Sequence, residues 1–130
     1  MSPKHENRTK GTFGEEIGDH YLKQKGYRIL ERNARSPFGE IDAVALHHGV
    51  LVFVEIKTRM TGDFGLPEEA VDGRKQSQLA RLASWYLARH PNLDLPVRFD
   101  VLAIGMEREE PEIRLIQNAF ELEGSISKFF

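Results

Sequence analysis

Apolar positions recur at two different periods along this chain. Phe13, Ile17, Tyr21 and Leu22 stand at helical spacing and predict a helix over 13–25. Thr12 would cap its start, with Glu15 three residues later as capping-box partner, and Gly26 would end it. "YRILERNAR" (27–35) reads as a strand and "SPFG" (36–39) as a turn. "GEIDAVALHHGVLVFVEIKTR", Gly39–Arg59, holds two apolar runs joined by His48-Gly49. It predicts a hairpin of strands 40–46 and 50–58.

The pattern then changes period. "RMTGDFGLP" (59–67) reads as a Gly-rich loop beside a site, and Pro67 would open a short turn of helix through Ala70. Asp72 would cap a long helix over 73–90, whose apolar stripe is Leu79, Leu82, Ala83, Tyr86 and Leu87. Pro91 stops it. "VRFDVLAIG" (97–105) is a strand, apolar on both faces apart from its start, and "EIRLIQNAF" (112–120) a final strand and exit. The order α-β-β-β-α-β-β predicts an α/β fold, a mixed sheet flanked by helices on both faces.

Composition narrows this picture modestly. The 130 residues are expected to form one domain over 11–130, behind a flexible tail at 1–10. The chain has no cysteine, which fits a reducing compartment and predicts a cytoplasmic protein. "MSPKHENRTKGT" has no apolar core of a secretory signal. The longest apolar run, Val50–Val54, is far too short to span a bilayer. The formal net charge of −2 does not announce a nucleic-acid binder, but the charges are unevenly spread. Residues 1–35 carry eight Lys/Arg against five Asp/Glu, and residues 107–123 six Glu against two Arg. A basic front of this kind can bind phosphate locally.

Four charges interrupt the hairpin: Glu40, Asp42, Glu55 and Lys57. A two-residue turn pairs His47 with Val50, so Asp42 falls opposite Glu55 and Glu40 opposite Lys57. Strand alternation places all four on one face, at the end away from the turn. Opposed Cβ atoms lie roughly 4.5–5.5 Å apart, close enough for two carboxylates to need a cation between them. Carboxylate oxygens suit Mg²⁺, Mn²⁺ or Ca²⁺. A neighbouring lysine suits a phosphate oxygen or a water. Two acids and a lysine would serve metal-assisted phosphodiester hydrolysis. A cross-strand ion-pair ladder accounts for the same charges equally well at this point.

"FGEID" followed by "FVEIKTR" resembles the PD-(D/E)XK nuclease core, in which an Asp and an E-x-K triplet occupy adjacent strands. Together with "GEEIGDHYL", "GYRIL", "ERNAR", "FG", "EAV" and "RFDV", over roughly residues 11–120, the chain resembles the YraN-like family of small bacterial proteins. That family is related to Holliday-junction resolvases of archaeal type. The resemblance implies a restriction-endonuclease-like core. It implies Asp42 and Glu55 as catalytic metal ligands, Lys57 as the catalytic lysine, and the backbone carbonyl of Ile56 as a further ligand. Glu15, in "FGEEIG", matches the family's helix acid and would approach the same metal. Ile41 stands where the superfamily's name has Pro.

The function expected is that of a divalent-metal-dependent endonuclease using Mg²⁺ or Mn²⁺. Its substrate would be DNA, with branched or repair intermediates as candidates, and resolvase relatives suggest a homodimer. The alternative is a non-catalytic nucleic-acid-binding or protein-interaction protein that keeps the nuclease fold. Arg59 and Lys75 are candidate nucleic-acid contacts, the latter in a helix's first turn, where N–H groups favour anions. Asp100 is read as structural, bound to backbone or to an Arg. His47 and His48 are read as exposed turn residues, and Trp85, Tyr86 and Phe120 as core or interface. Glu40 has no assigned role.

Overall fold

The computed structural model describes residues 10–59 and 73–120. Helix α1 spans Lys10–Gln24, so Thr12 lies within its first turn rather than capping it. Its C-terminus ends as expected. Gly26 adopts φ +91°, and the N–H groups of Tyr27 and Gly26 donate to the carbonyls of Leu22 and Lys23 at 2.9 and 3.1 Å. That pair of bonds is a Schellman cap, which needs a residue free to take positive φ. Strands β1 (Arg28–Ser36), β2 (Gly39–His47) and β3 (Val50–Arg59) follow, then helix α2 (Gly73–Arg89), β4 (Val97–Gly105) and β5 (Glu112–Ile116). The loop expected after Arg59, the turn of helix from Pro67 and the Asp72 cap lie outside the described residues. Among the described residues no helix is long and apolar enough to cross a membrane.

The five strands form one sheet in sequence order. β1–β2, β2–β3 and β4–β5 pair antiparallel, and β3–β4 pair parallel through the α2 crossover. His48 and Gly49 both take positive φ, 50° and 78°, which is the turn a two-residue hairpin requires. The register is the predicted one from His47↔Val50 to Ala43↔Val54, and there the β2–β3 ladder stops.

Each face of the sheet carries one helix, as the apolar strands demanded. On one face Val44, Leu51, Phe53 and Val101 pack under Leu79, Leu82, Ala83 and Tyr86 of α2. On the other Ala43, Ala45, Val52, Val54, Leu102 and Ile104 pack under Leu22 of α1 and Tyr27. α1 lies unusually close to the sheet. A Cβ on Gly14 would collide with the Thr58 hydroxyl, and one on Gly18 would come within 3.0 Å of Leu102. These two glycines, one helical turn apart, are what let the N-terminal half of α1 reach the charged end of β3.

Alternation along β2 breaks at Asp42. Ala43 faces the α1 side, yet Ile41, two residues earlier, packs with the α2-side core. On β1 the residue at the same level, Asn33, takes φ +54°. Arg32 before it pairs with Ala43 and Ala34 after it with Ile41. Both strands therefore turn over where the β2–β3 ladder ends, and strand and backbone irregularities of this kind re-aim side chains.

Candidate active site

The gap opened between β2 and β3 is filled by Asp42. Continuing the hairpin register would set Ile41 against Ile56 and spend the Ile56 N–H on a backbone carbonyl. Instead that N–H donates to Asp42 Oδ2 at 2.7 Å. The N–H and C=O of one extended residue point to the same side, so the Ile56 carbonyl faces the gap too. The predicted opposition of Asp42 and Glu55 as ladder partners does not form, but the two carboxylates still interact.

Burial is the largest influence on the Asp42 carboxyl, raising its pKa from 3.8 to about 6. The Ile56 N–H opposes the shift, while the charges of Glu55, Glu15 and Glu40 add to it. Glu55 faces the α2 side, nearly buried. Its Oε2 meets Lys75 Nζ at 3.3 Å and Lys57 Nζ at 3.7 Å. Lys75 comes from the first turn of α2, so both predicted lysines meet at one carboxylate. Lys75 is thus placed in the site itself, beyond its predicted role as a nucleic-acid contact.

The remaining predicted residues divide. Glu15 is brought toward Asp42 by the close seat of α1, but its own carboxylate lies 3.6 Å from Arg32 Nη2. Glu40 does not oppose Lys57. It pairs across β1–β2 with Arg35 at 3.2 Å, at an exposed edge. Arg59 is exposed at the end of β3, where its carbonyl accepts from the Met106 N–H at 2.7 Å.

The metal expectation can be tested on the donor set. Asp42, the Ile56 carbonyl and Glu55 are hard oxygen donors around one gap, and Asp42 ionises reluctantly there, as a carboxylate short of positive charge does. These fit a divalent cation. Glu15 does not complete the set: among the described residues no three His, Cys, Asp or Glu side chains are arranged to hold a metal ion.

Residues 14–104 match the model of the uncharacterised protein family UPF0102. The chain belongs to that family. A UPF0102 protein of Syntrophotalea carbinolica is 45% identical over 114 residues, covering 88% of this chain and 93% of its own. A UPF0102 protein of Moorella thermoacetica is 44% identical over 115 residues, covering 87% and 96%. The membership agrees with the YraN-like resemblance carried by "FGEID" and "FVEIKTR". The solved structure of Pyrococcus furiosus SfsA in complex with Ca²⁺ aligns over 82% of this chain and 61% of that one, at 16% identity and TM-score 0.34, too loosely to carry an argument.

A second polar cluster, unlike the first, is closed. Asp100, buried on β4, accepts from Tyr27 Oη at 2.7 Å, from Arg98 Nε and Nη2 at 2.9 and 3.0 Å, and from the Asn118 N–H at 2.9 Å. This confirms the structural role read for Asp100. His47 is not an exposed turn residue. It is buried, stacks on Tyr27 with centroids 4.1 Å apart, and offers Nδ1 to Arg98 Nη2 at 3.0 Å. Burial, then the charges of His48 and Arg98, hold its pKa below the usual value. Arg98 and Tyr27 are 71 residues apart in the chain, so strand periodicity gave no signal for this cluster. Tyr86, Phe120 and the half-buried Trp85 join the α2-side core, as expected.

Proposed function

We propose that this UPF0102 protein is a divalent-metal-dependent nuclease that hydrolyses DNA phosphodiester bonds. The observation that carries this is Asp42: a half-buried carboxyl with pKa raised to about 6, bonded to the Ile56 N–H in the gap between β2 and β3 and acted on by the charge of Glu55. Asp42 Oδ1, the Ile56 carbonyl and Glu55 would hold Mg²⁺ or Mn²⁺. Such an ion, when bound, supplies polarisation of a phosphoryl oxygen and a lowered pKa for an attacking water. Asp42 Oδ2 stays anchored to the Ile56 N–H, which fixes the orientation of the other oxygen. Lys57, two residues after Glu55 on the same face, supplies an ammonium to the scissile phosphate or to the water. Lys75 adds a second positive charge from α2, 3.3 Å from Glu55 Oε2, which offsets the repulsion between that carboxylate and an approaching phosphate.

Titrating Mg²⁺ and Mn²⁺ against branched, single-stranded and duplex DNA tests the proposal, with calorimetric Mn²⁺ binding as a second readout. Asp42→Ala and Glu55→Ala should each remove both cleavage and Mn²⁺ binding. Variants that cleave as well as the parent would sink the assignment.

A second function is favoured by a different contact. Glu55 already lies between two ammonium groups at 3.3 and 3.7 Å, an arrangement that is electrostatically complete without an ion. A nucleic-acid-binding protein that keeps this fold without cleaving would look the same at Glu55. Salt-dependent DNA binding that survives Asp42→Ala, with no cleavage in either metal, would select it.

A further inference from the structure

The turn joining β1 to β2 presents an aromatic ring to solvent beside the proposed site. Phe38 is 39% exposed, whereas Phe53, Phe99 and Phe120, the phenylalanines of the α2-side core among the described residues, are buried or packed into it. Its backbone is held from three directions. The Ser36 hydroxyl accepts the Phe38 N–H and donates to the Gly39 carbonyl, both at 3.0 Å. Gln78 of α2 donates its side-chain N–H to the Phe38 carbonyl at 2.7 Å. Gly39 takes φ +130°, and a Cβ there would collide with the Gln78 amide. An exposed ring on a turn fixed this way is preorganised rather than incidental.

The helix that holds Phe38 is basic where it does so. α2 carries Arg74, Lys75, Arg81 and Arg89 and no acid. Arg74, Gln78 and Arg81 are spaced i, i+4 and i+7, so they share one stripe, and both arginines are exposed. Gln78 is the member of that stripe that touches Phe38. Arg74 and Lys75, in the first turn of α2, oppose the helix dipole, and a bound anion offsets that cost. Phe38 precedes Asp42 by four strand positions, about 13 Å at most along β2. A polynucleotide reaching Asp42 would pass both.

We propose that Phe38 and the Arg74–Gln78–Arg81 stripe of α2 form a platform for an unpaired polynucleotide strand, DNA in the first instance, leading into the site. The ring stacks on a base face, which a closed duplex hides, and the arginines contact phosphates on either side. The choice of single-stranded or branched substrate rests on the proposed nuclease function. The binding platform does not.

Fluorescence anisotropy of the full chain in EDTA tests it, with labelled oligo-dT, oligo-rU and a duplex of equal length at low salt. Oligo-dT should bind more tightly than the duplex. Phe38→Ala should weaken oligo-dT binding by about ten- to a hundredfold and leave duplex binding and the melting temperature unchanged, and Phe38→Trp should restore it. Arg74→Ala and Arg81→Ala should each flatten the salt dependence for oligo-dT by about 0.7 in logarithmic slope. Tighter duplex binding, or an unchanged affinity in Phe38→Ala, overturns the platform. Tighter oligo-rU binding with the same Phe38 dependence overturns the assignment to DNA. Because no metal is present, loss of cleavage in Asp42→Ala and loss of binding in Phe38→Ala are separable results.

Discussion

Asp100, on β4, accepts four hydrogen bonds from Tyr27, Arg98 and Asn118. Asp42, on β2, accepts one among the described residues, from the Ile56 N–H, and the charges acting on it most are those of three other acids. Both are sheet carboxylates, Asp100 fully buried and Asp42 half-buried. One is met on every side, and its network ties β4, the α1–β1 turn and the segment after β5 together. Among the described residues the other is acted on by acids, at a place where the β2–β3 ladder has ended. A satisfied buried charge is architecture; an unsatisfied one is a cost kept for something the chain must bind.

The contrast breaks most sharply at Asp42. Asp42→Asn keeps an oxygen for the Ile56 N–H but loses the ionisable group, and cleavage should fall by more than the roughly 100-fold that outer partners of a metal ligand command. The same variant should be more stable than the parent in EDTA above pH 6. The sign follows from a folded carboxyl at about 6 against an ordinary 3.8: the native state holds its proton more tightly. Stability therefore falls as pH rises through that window, and the gain in Asp42→Asn should vanish below about pH 4 in thermal melts. A variant no more stable at pH 7 than the parent would show that Asp42 is compensated after all.

At the other cluster the expected result is reversed. Arg98→Ala strands Asp100 in the core and should cost about 3–5 kcal/mol in chemical denaturation, with no gain at any pH. A smaller effect comes from His47, whose pKa is held down by burial and then by the charges of His48 and Arg98. The unfolded chain takes up a proton at 6.5 and the native one resists it. Stability should thus fall as pH drops below 6.5, and His47→Gln should remove that slope. The smallest effect is at the surface: Arg35→Ala removes an exposed partner of Glu40 and should cost no more than about 0.5 kcal/mol.

Much of the fold was legible because it follows from local patterns. Helical spacing, Gly26, the His48-Gly49 turn and alternation in β2 and β3 set the elements, their order and the hairpin register. The candidate site residues can be listed from the sequence, but their geometry cannot. Alternation extended the ladder to Asp42 and Glu55, but a carboxylate that takes a backbone N–H ends a ladder, and no periodicity records that. The β2–β3 hairpin register gives no partner for Glu40, because its pair, Arg35, lies on β1. Reading the first two strands as a second hairpin would have found it. His47 was assigned to solvent because its neighbours in sequence are turn residues. Its neighbours in space, Tyr27 and Arg98, are brought by elements on either side of it.

The parallel junction between β3 and β4 also has a consequence in time. Leu51 faces Val97 across it, and the intervening chain must run through α2 before the two strands meet. The hairpin needs no such closure, and contacts between sequence neighbours form before distant ones. Asp42 and Glu55 are therefore expected to come together before α2 docks, with the lysine it carries arriving afterwards. Pulsed hydrogen exchange should find Ala45 and Val52, which bond each other across the hairpin, protected ahead of Leu102. The last major step of folding is then also the one that delivers Lys75 to Glu55, so a chain that stalls before the crossover carries its acids uncovered.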